Sequence, residues 1–82
     1  MTQIHNKMTE INYKDGFNAG FMRLQLKDVR PATKELLIAL EVNNRVSFGH
    51  YRYGRIEPRA SQAAAVEAVF RKYGITENIW GK

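Results

Sequence analysis

The sequence predicts an all-α domain of four to five short helices with tight connections. Apolar residues recur mainly at helical spacing, and turn-forming residues such as Asn43, Gly54 and Gly74 separate the apolar segments. With 82 residues the chain can bury one modest core. We therefore expect a flexible tail over residues 1–8 and a single domain over residues 9–82.

Composition and charge exclude several classes of protein. The chain has no cysteine, which excludes disulfides, thiolate metal sites and thiol catalysis and fits a reducing compartment. No apolar run approaches the ~18 residues that span a bilayer, and the polar N-terminus lacks the apolar region of a secretory signal. We expect a cytoplasmic protein that does not associate with membranes.

The first predicted helix runs from Tyr13 to about Gln25. Four apolar residues at spacings of four, four and three lie on one face of it: Tyr13, Phe17, Phe21 and Leu24. A strand remains the alternative near its end, where Met22, Leu24 and Leu26 alternate with polar residues.

The second and third predicted helices are joined by a short polar turn at Asn43 and Asn44. The second begins at an Asp28 N-cap, has Pro31 in its first turn and ends near Glu41. The third covers residues 45–53, directs Phe48 and Tyr51 to the core and stops at Gly54 in the left-handed conformation.

The fourth predicted helix begins at a Ser61 cap and covers residues 61–73. Gly74 ends it, and Ile75 lies where a hydrophobic contact closes a Schellman motif. Beyond it, Ile79 and Trp80 pack back on the core or on a partner.

Positive charge is concentrated between residues 43 and 59. This segment has four arginines and one acid, a net charge of +3 out of +5 for the chain, whereas segments 1–42 and 60–82 each have a net charge of +1. Such a cluster is typical of a protein that binds a polyanion. A solvated surface without function is the alternative.

Enzymatic and metal sites find little support. His5 and His50 are the two histidines, and no HExxH-like spacing occurs. Ser47 and His50 are three residues apart, which helical spacing explains more simply than a catalytic pair of nucleophile and base. The glycines of DGFNAGF do not follow a strand or precede GK[ST], so they do not predict a phosphate loop. We expect no catalysis, metal, cofactor or small-molecule substrate.

The lengths of the second helix, the turn and the third helix are typical of a helix-turn-helix, whose second helix lies in the DNA major groove. Arginines suit phosphates or guanine edges, asparagine suits adenine, and serine and histidine are shorter donors. The third helix is therefore predicted to bind double-stranded DNA.

The segment ALEVNNRVSFGHYRYGRIEP resembles the Cro/repressor-type (XRE-like) helix-turn-helix. The residues that match its pattern are Ala39, Val42, Phe48, Tyr51, Gly54, Arg55 and Pro58. The chain from about Phe17 onward is also similar to small repressor-like proteins of bacterial prophages and mobile elements. Their typical ending is matched here by Glu57, Pro58, Val66, Glu67, Phe70, Tyr73, Gly74, Ile75, Ile79, Trp80 and Gly81.

The resemblance implies a compact lambda-repressor-like domain that acts as a homodimeric, sequence-specific transcriptional regulator. By this resemblance, contacts to DNA bases come from Asn44, Arg45, Ser47 and His50. Contacts to DNA phosphates come from Arg52, Arg55 and Arg59. Independently of the resemblance, the hydroxyl of Tyr51 is a further candidate for a phosphate contact, with burial in the core as the alternative. Helix 61–73 and the Ile79–Trp80 tail are the candidate dimer surfaces.

Two features depart from the family pattern. Glu41 occupies a place that is usually glycine, and the stretch from Ala39 to Gly54 is one residue longer than usual. These departures affect the geometry of the turn. The alternative function is a protein-interaction module on the same fold, such as an inhibitor or an antitoxin-like partner, and Gly49 in the middle of the third helix favours it.

Overall fold

The computed structural model describes residues 13–81 and contains four α-helices: α1 (Asn18–Phe21), α2 (Leu26–Leu40), α3 (Arg45–Arg52) and α4 (Ala60–Lys72). A single 3-10 turn, Tyr13–Asp15, precedes them. No strand occurs among these residues, so the all-α prediction is confirmed and the strand alternative near Leu24 is wrong. The tail predicted for residues 1–8 lies outside the described residues.

The first predicted helix is broken by Gly16, so the prediction of one continuous helix to about Gln25 is wrong. Gly16 has φ +73°, and a Cβ there would collide with the Arg52 carbonyl oxygen and the Gly54 amide nitrogen. Only glycine fits both this conformation and this close approach. The apolar residues of the segment nevertheless still point inward, and Phe17 and Leu24 are buried.

Helix α2 begins one turn earlier than its sequence signals predicted. Gln25 is the N-cap, Asp28 lies inside the first turn and Pro31 is internal to the helix. Aspartate is favoured at the N-cap and also in the first turn, where its charge interacts favourably with the helix dipole. The residue type alone therefore does not distinguish the two positions. Pro31 removes one helical hydrogen bond, and the long apolar face of α2 compensates for that loss.

The turn after α2 is a Schellman motif with a glutamate in the glycine position. Glu41 has φ 64° and ψ 38°. Its amide donates to the Ile38 carbonyl and the Val42 amide donates to the Leu37 carbonyl, each at 3.0 Å. The connection between α2 and α3 then ends at Asn44, the N-cap of α3.

Helix α4 is joined to the end of α2 by Gln62, and Ser61 is not its cap. The N-cap is Arg59, whose amide donates to the Gln62 side-chain oxygen at 2.8 Å. The Gln62 side-chain amide donates to the Leu40 carbonyl at 2.8 Å in the interior. At the other end, Gly74 and Ile75 close a Schellman motif as predicted, with Ile75 donating to Phe70 at 2.9 Å.

An aromatic cluster around Phe17 lies in the core. The Phe17 ring is fully buried, and its centroid lies 5.5 Å from Phe48, 5.9 Å from Phe70 and 6.1 Å from Trp80. Trp80 also donates from its indole nitrogen to the Glu67 carboxylate at 2.8 Å. Of the two positions left open for the Ile79–Trp80 tail, the structure therefore has it on the core.

Between residues 13 and 81, none of the helices combines the length and the hydrophobicity that a membrane crossing requires.

Candidate nucleic-acid interface

Helix α3 is attached to the domain by one side. Phe48 is buried and Tyr51 is half-buried against the core, as predicted. The helix begins at Asn44, whose side-chain oxygen accepts from the Ser47 amide at 2.8 Å, and it is followed by Gly54 with φ 83°. Capping at the start, a left-handed glycine at the end and two aromatic anchors hold this short helix in place.

The outward face of α3 consists of Arg45, Val46, Gly49 and the adjoining Tyr53. Arg45 is exposed, Val46 is 68% exposed and Tyr53 is 52% exposed. Gly49 lies between them, and a Cβ built on it would meet no atom within 4 Å. Helix α3 contains no acidic residue. Arg45 is therefore accompanied outward by apolar and aromatic groups.

Ser47 and His50, predicted to face outward with Arg45, are only half-exposed. The His50 Nδ1 atom is buried and has no hydrogen-bond partner among the described residues. The carbonyl of His50 accepts from the amides of Arg55 and Ile56, which fold the following loop against it. Only Nε2 of His50 is left to reach a ligand, and no hydrogen bond joins His50 to Ser47 in residues 13–81.

Asn44, the first predicted base contact, has both side-chain groups in use. Its oxygen caps α3 through Ser47, and its nitrogen donates to the Asn43 side-chain oxygen at 3.2 Å. Each group keeps one further hydrogen-bond site, but the cap fixes the direction of the side chain, and releasing it to turn toward adenine would cost about 1 kcal/mol. Its location therefore favours a capping role over readout.

Arg52, a predicted phosphate contact, is held by its own chain. Its Nε donates to the Asn18 side-chain oxygen at 2.7 Å, and its guanidinium lies 4.2 Å from the centre of the Phe21 ring and 4.8 Å from that of Tyr53. Cation–π contacts and a hydrogen bond thus orient this cation at the end of α3. One edge, at Nη2, approaches the Met22 sulfur at 3.5 Å.

The other predicted phosphate contacts differ in their surroundings. Arg55 is exposed, and its guanidinium lies 6.0 Å from the Tyr53 ring centre. Arg59 instead pairs with Glu41 at 2.8 Å, and both side chains are more than half exposed, a pair that solvent screens strongly. Tyr51 packs half-buried against the core.

Val46, Gly49 and Tyr53 were missed as candidates for the outward face, and a signal for them existed. They follow one another at spacings of three and four residues, which is one helical face opposite the buried Phe48. In contrast, no local signal indicates that Asn18 holds Arg52, because 34 residues separate them.

Among residues 13–81, no group of three or more potential metal-ligating side chains comes together. No protein-family model matches the chain, and no curated protein or solved structure is significantly similar to it. The Cro/repressor-type resemblance therefore stays a prediction from the residues.

Proposed function

We propose that this protein binds double-stranded DNA sequence-specifically, with α3 in the major groove, and regulates transcription as a homodimer. The observation that carries the proposal is the outward face of α3, where exposed Arg45 stands beside Val46 and Gly49 with no acid on the helix. Arginine is suited to guanine edges and apolar side chains to thymine methyl groups.

The location of Arg45 supports the proposal because an arginine at this position does not stabilise α3. Arg45 is the first residue of α3, and a cation there opposes the positive end of the helix dipole. The same location puts a cation on the first turn of α3, the end of a helix whose amides favour an anion. Arg55, exposed beyond the other end of α3, extends the cationic surface.

The connection between α2 and α3 gives a second line of support. A Schellman turn at Glu41 and an N-cap at Asn44 define the direction in which α3 leaves α2. Phe48 holds α3 from the inside, which leaves its other side for a ligand. A helix of a DNA-binding protein needs this division between a buried and a free side.

Pairing of two copies is part of the proposal, because one short helix contacts few base pairs. Two-fold pairing would place half-sites about 34 Å apart. A shallow apolar groove of about 350 Å³ between α2 and α4, lined in part by Ile38, Ala65 and Ala68, is the candidate surface. Ile38 is 77% exposed there. The Ile79–Trp80 tail is no longer a candidate, since both residues are buried.

Titration of random-sequence duplex at two salt concentrations, followed by selection from a random library, tests the proposal. We expect salt-dependent binding to all duplexes and enrichment of one sequence. Arg45→Ala should lose about tenfold or more on the selected sequence only. Arg71→Ala, which removes an exposed arginine from α4, is the charge-matched control and should retain that selectivity. Failure to bind any duplex at low salt would overturn the proposal.

The alternative, a protein-interaction module such as an inhibitor or antitoxin-like partner, is favoured by the exposed apolar and aromatic groups beside Arg45. Tyrosine and arginine are enriched in protein interfaces, and Tyr53 and Ile56 are both partly or largely exposed. This function would give no salt-dependent duplex binding, so the same titration separates the two.

Under the main proposal, the DNA-binding regulator would act in the cytoplasm and would have no catalytic activity.

A further inference from the structure

Gly49 has no explanation within the fold. A Cβ at Gly16 would collide with backbone atoms, and a Cβ at Gly20 would lie in tight contact, 3.2 Å, with Ile79. Gly49, in contrast, lies in the middle of α3 without a positive φ, and a Cβ there would meet nothing within 4 Å. Glycine weakens a helix relative to alanine. A residue that weakens its own helix without a packing reason is expected where something outside the chain comes close.

Val46 lies one helical turn before Gly49 on the same face and is 68% exposed. The two together form a small apolar surface, in which the Gly49 backbone lies in a shallow depression beside the Val46 side chain. Arg45 borders this surface on one side and Tyr53 on the other. None of the described polar side chains forms a hydrogen bond across it.

We propose that Val46 and Gly49 receive the 5-methyl group of a thymine in the major groove, so that α3 distinguishes thymine from cytosine by its methyl group. This inference rests on the proposed DNA-binding function. Thymine presents the O4 acceptor and this methyl group in the major groove, and apolar side chains contact the methyl. A Cβ at position 49 would occupy the space that the methyl group needs.

Replacement of thymine by deoxyuridine tests the inference, because it removes the methyl and leaves base pairing unchanged. Each thymine of the library-selected duplex is replaced singly, and the dissociation constant is measured. At one position in each half-site we expect about fourfold weaker binding, the effect of one buried methyl(ene)-sized group. Val46→Ala should lower this thymine-to-uracil ratio toward one. Leu26→Ala removes an exposed apolar side chain, 91% exposed, outside α3 and should leave the ratio unchanged.

Gly49→Ala gives an independent readout in which folding and binding change in opposite directions. Because its new methyl group enters open space, the variant should unfold at a higher temperature than the wild type. It should also bind the thymine duplex more weakly, and the deoxyuridine duplex should recover part of that loss, since the alanine methyl then fills the vacated space.

The outcomes separate the two claims. Wild-type protein that binds the selected duplex but discriminates thymine from uracil at no position would overturn the methyl contact and leave the proposed function standing. A wild-type ratio that persists in Val46→Ala and in Gly49→Ala would also overturn it. No binding to any duplex at low salt would overturn both claims together.

Discussion

The side-chain amide of Gln62, in the first turn of α4, donates a 2.8 Å hydrogen bond to the carbonyl oxygen of Leu40 at the end of α2. Gln62 is only 3% exposed. The same side chain accepts from the Arg59 amide at 2.8 Å. One buried glutamine thus supplies a hydrogen-bond partner to the last carbonyl of α2 and to the N-cap amide of α4.

Gln62→Leu should lower the free energy of unfolding by about 1–3 kcal/mol, because a buried carbonyl and a helix-terminal amide both lose their partner. Urea denaturation followed by circular dichroism measures this. Ser61→Ala is the control: Ser61 is exposed and is not the cap, so we expect a change within about 0.5 kcal/mol. Equal effects of the two substitutions would contradict the assigned roles.

Glu41→Gly should stabilise the protein by about 1 kcal/mol, because glutamate at φ 64° carries the strain of the left-handed region. The loss of the exposed pair with Arg59 subtracts at most a fraction of this gain. Thermal unfolding of Glu41→Gly, Arg59→Ala and the double variant separates the two effects. A destabilised Glu41→Gly would mean that the ion pair outweighs the backbone strain.

Gly16→Ala should destabilise the protein by about 3 kcal/mol or more, since a positive φ and a collision with backbone atoms of Arg52 and Gly54, at the end of α3, occur together. Gly49→Ala is the matched control. It adds the same methyl group to open space and should stabilise by about 0.5–1 kcal/mol. Chemical denaturation of the pair measures both. A tolerated Gly16→Ala would argue against the close packing of Gly16 on the end of α3.

Arg52 and Arg55 should respond differently to truncation, although both were predicted phosphate contacts. Arg52→Ala loses a hydrogen bond to Asn18 and stacking on Phe21. We expect a stability loss of about 1–2 kcal/mol, which lysine does not restore. Arg55→Ala, at an exposed residue, should leave stability unchanged within about 0.5 kcal/mol and reduce the slope of log affinity against log salt by about 0.9. Indistinguishable unfolding curves for the two variants would contradict the assigned role of Arg52.

Stability should fall at both ends of the pH range because of Glu35 and Tyr73. The Tyr73 hydroxyl donates to the Glu35 carboxylate at 2.6 Å and Lys72 donates at 2.9 Å. These bonds, that of Tyr73 first, lower the pKa of Glu35 below 4.5. The hydrogen bond to Glu35, with desolvation, raises the pKa of Tyr73 from 10.0 to about 12.

The contribution of Glu35 is therefore present above pH 4.5 and is lost as the pH falls through its lowered pKa. That of Tyr73 is present below pH 10 and is lost as the pH rises toward 12. Urea midpoints measured across both windows test this. Tyr73→Phe should flatten the alkaline decline and reduce the acid one, whereas Lys72→Met should reduce the acid decline and leave the hydrogen bond from Tyr73 to Glu35 in place. An alkaline decline of unchanged size in Tyr73→Phe would refute the assignment.

The helix faces and helix ends that depend on residues close in sequence were predicted correctly. The inward direction of Phe48 and Tyr51, the left-handed Gly54 and the Gly74–Ile75 end of α4 all follow from helical spacing and glycine conformation. The N-terminal signals were less reliable. Asp28 and Ser61 are both residues that favour caps, yet Gln25 and Arg59 occupy those positions. At Arg59 a long-range contact takes part, because Gln62, which accepts from the Arg59 amide, also donates to the Leu40 carbonyl.

The sequence by itself determined that the chain is helical, which aromatic residues anchor α3 and where its positive charge is concentrated, because spacing and composition are local properties. Only the tertiary structure decided which cations are free. Asn18, 34 residues away, holds Arg52, and Glu41 pairs with Arg59, while Arg45 and Arg55 stay exposed. The physical reason is that an arginine side chain is available for a ligand only if no distant segment of the chain contacts it. Helical spacing in the sequence does not show such contacts.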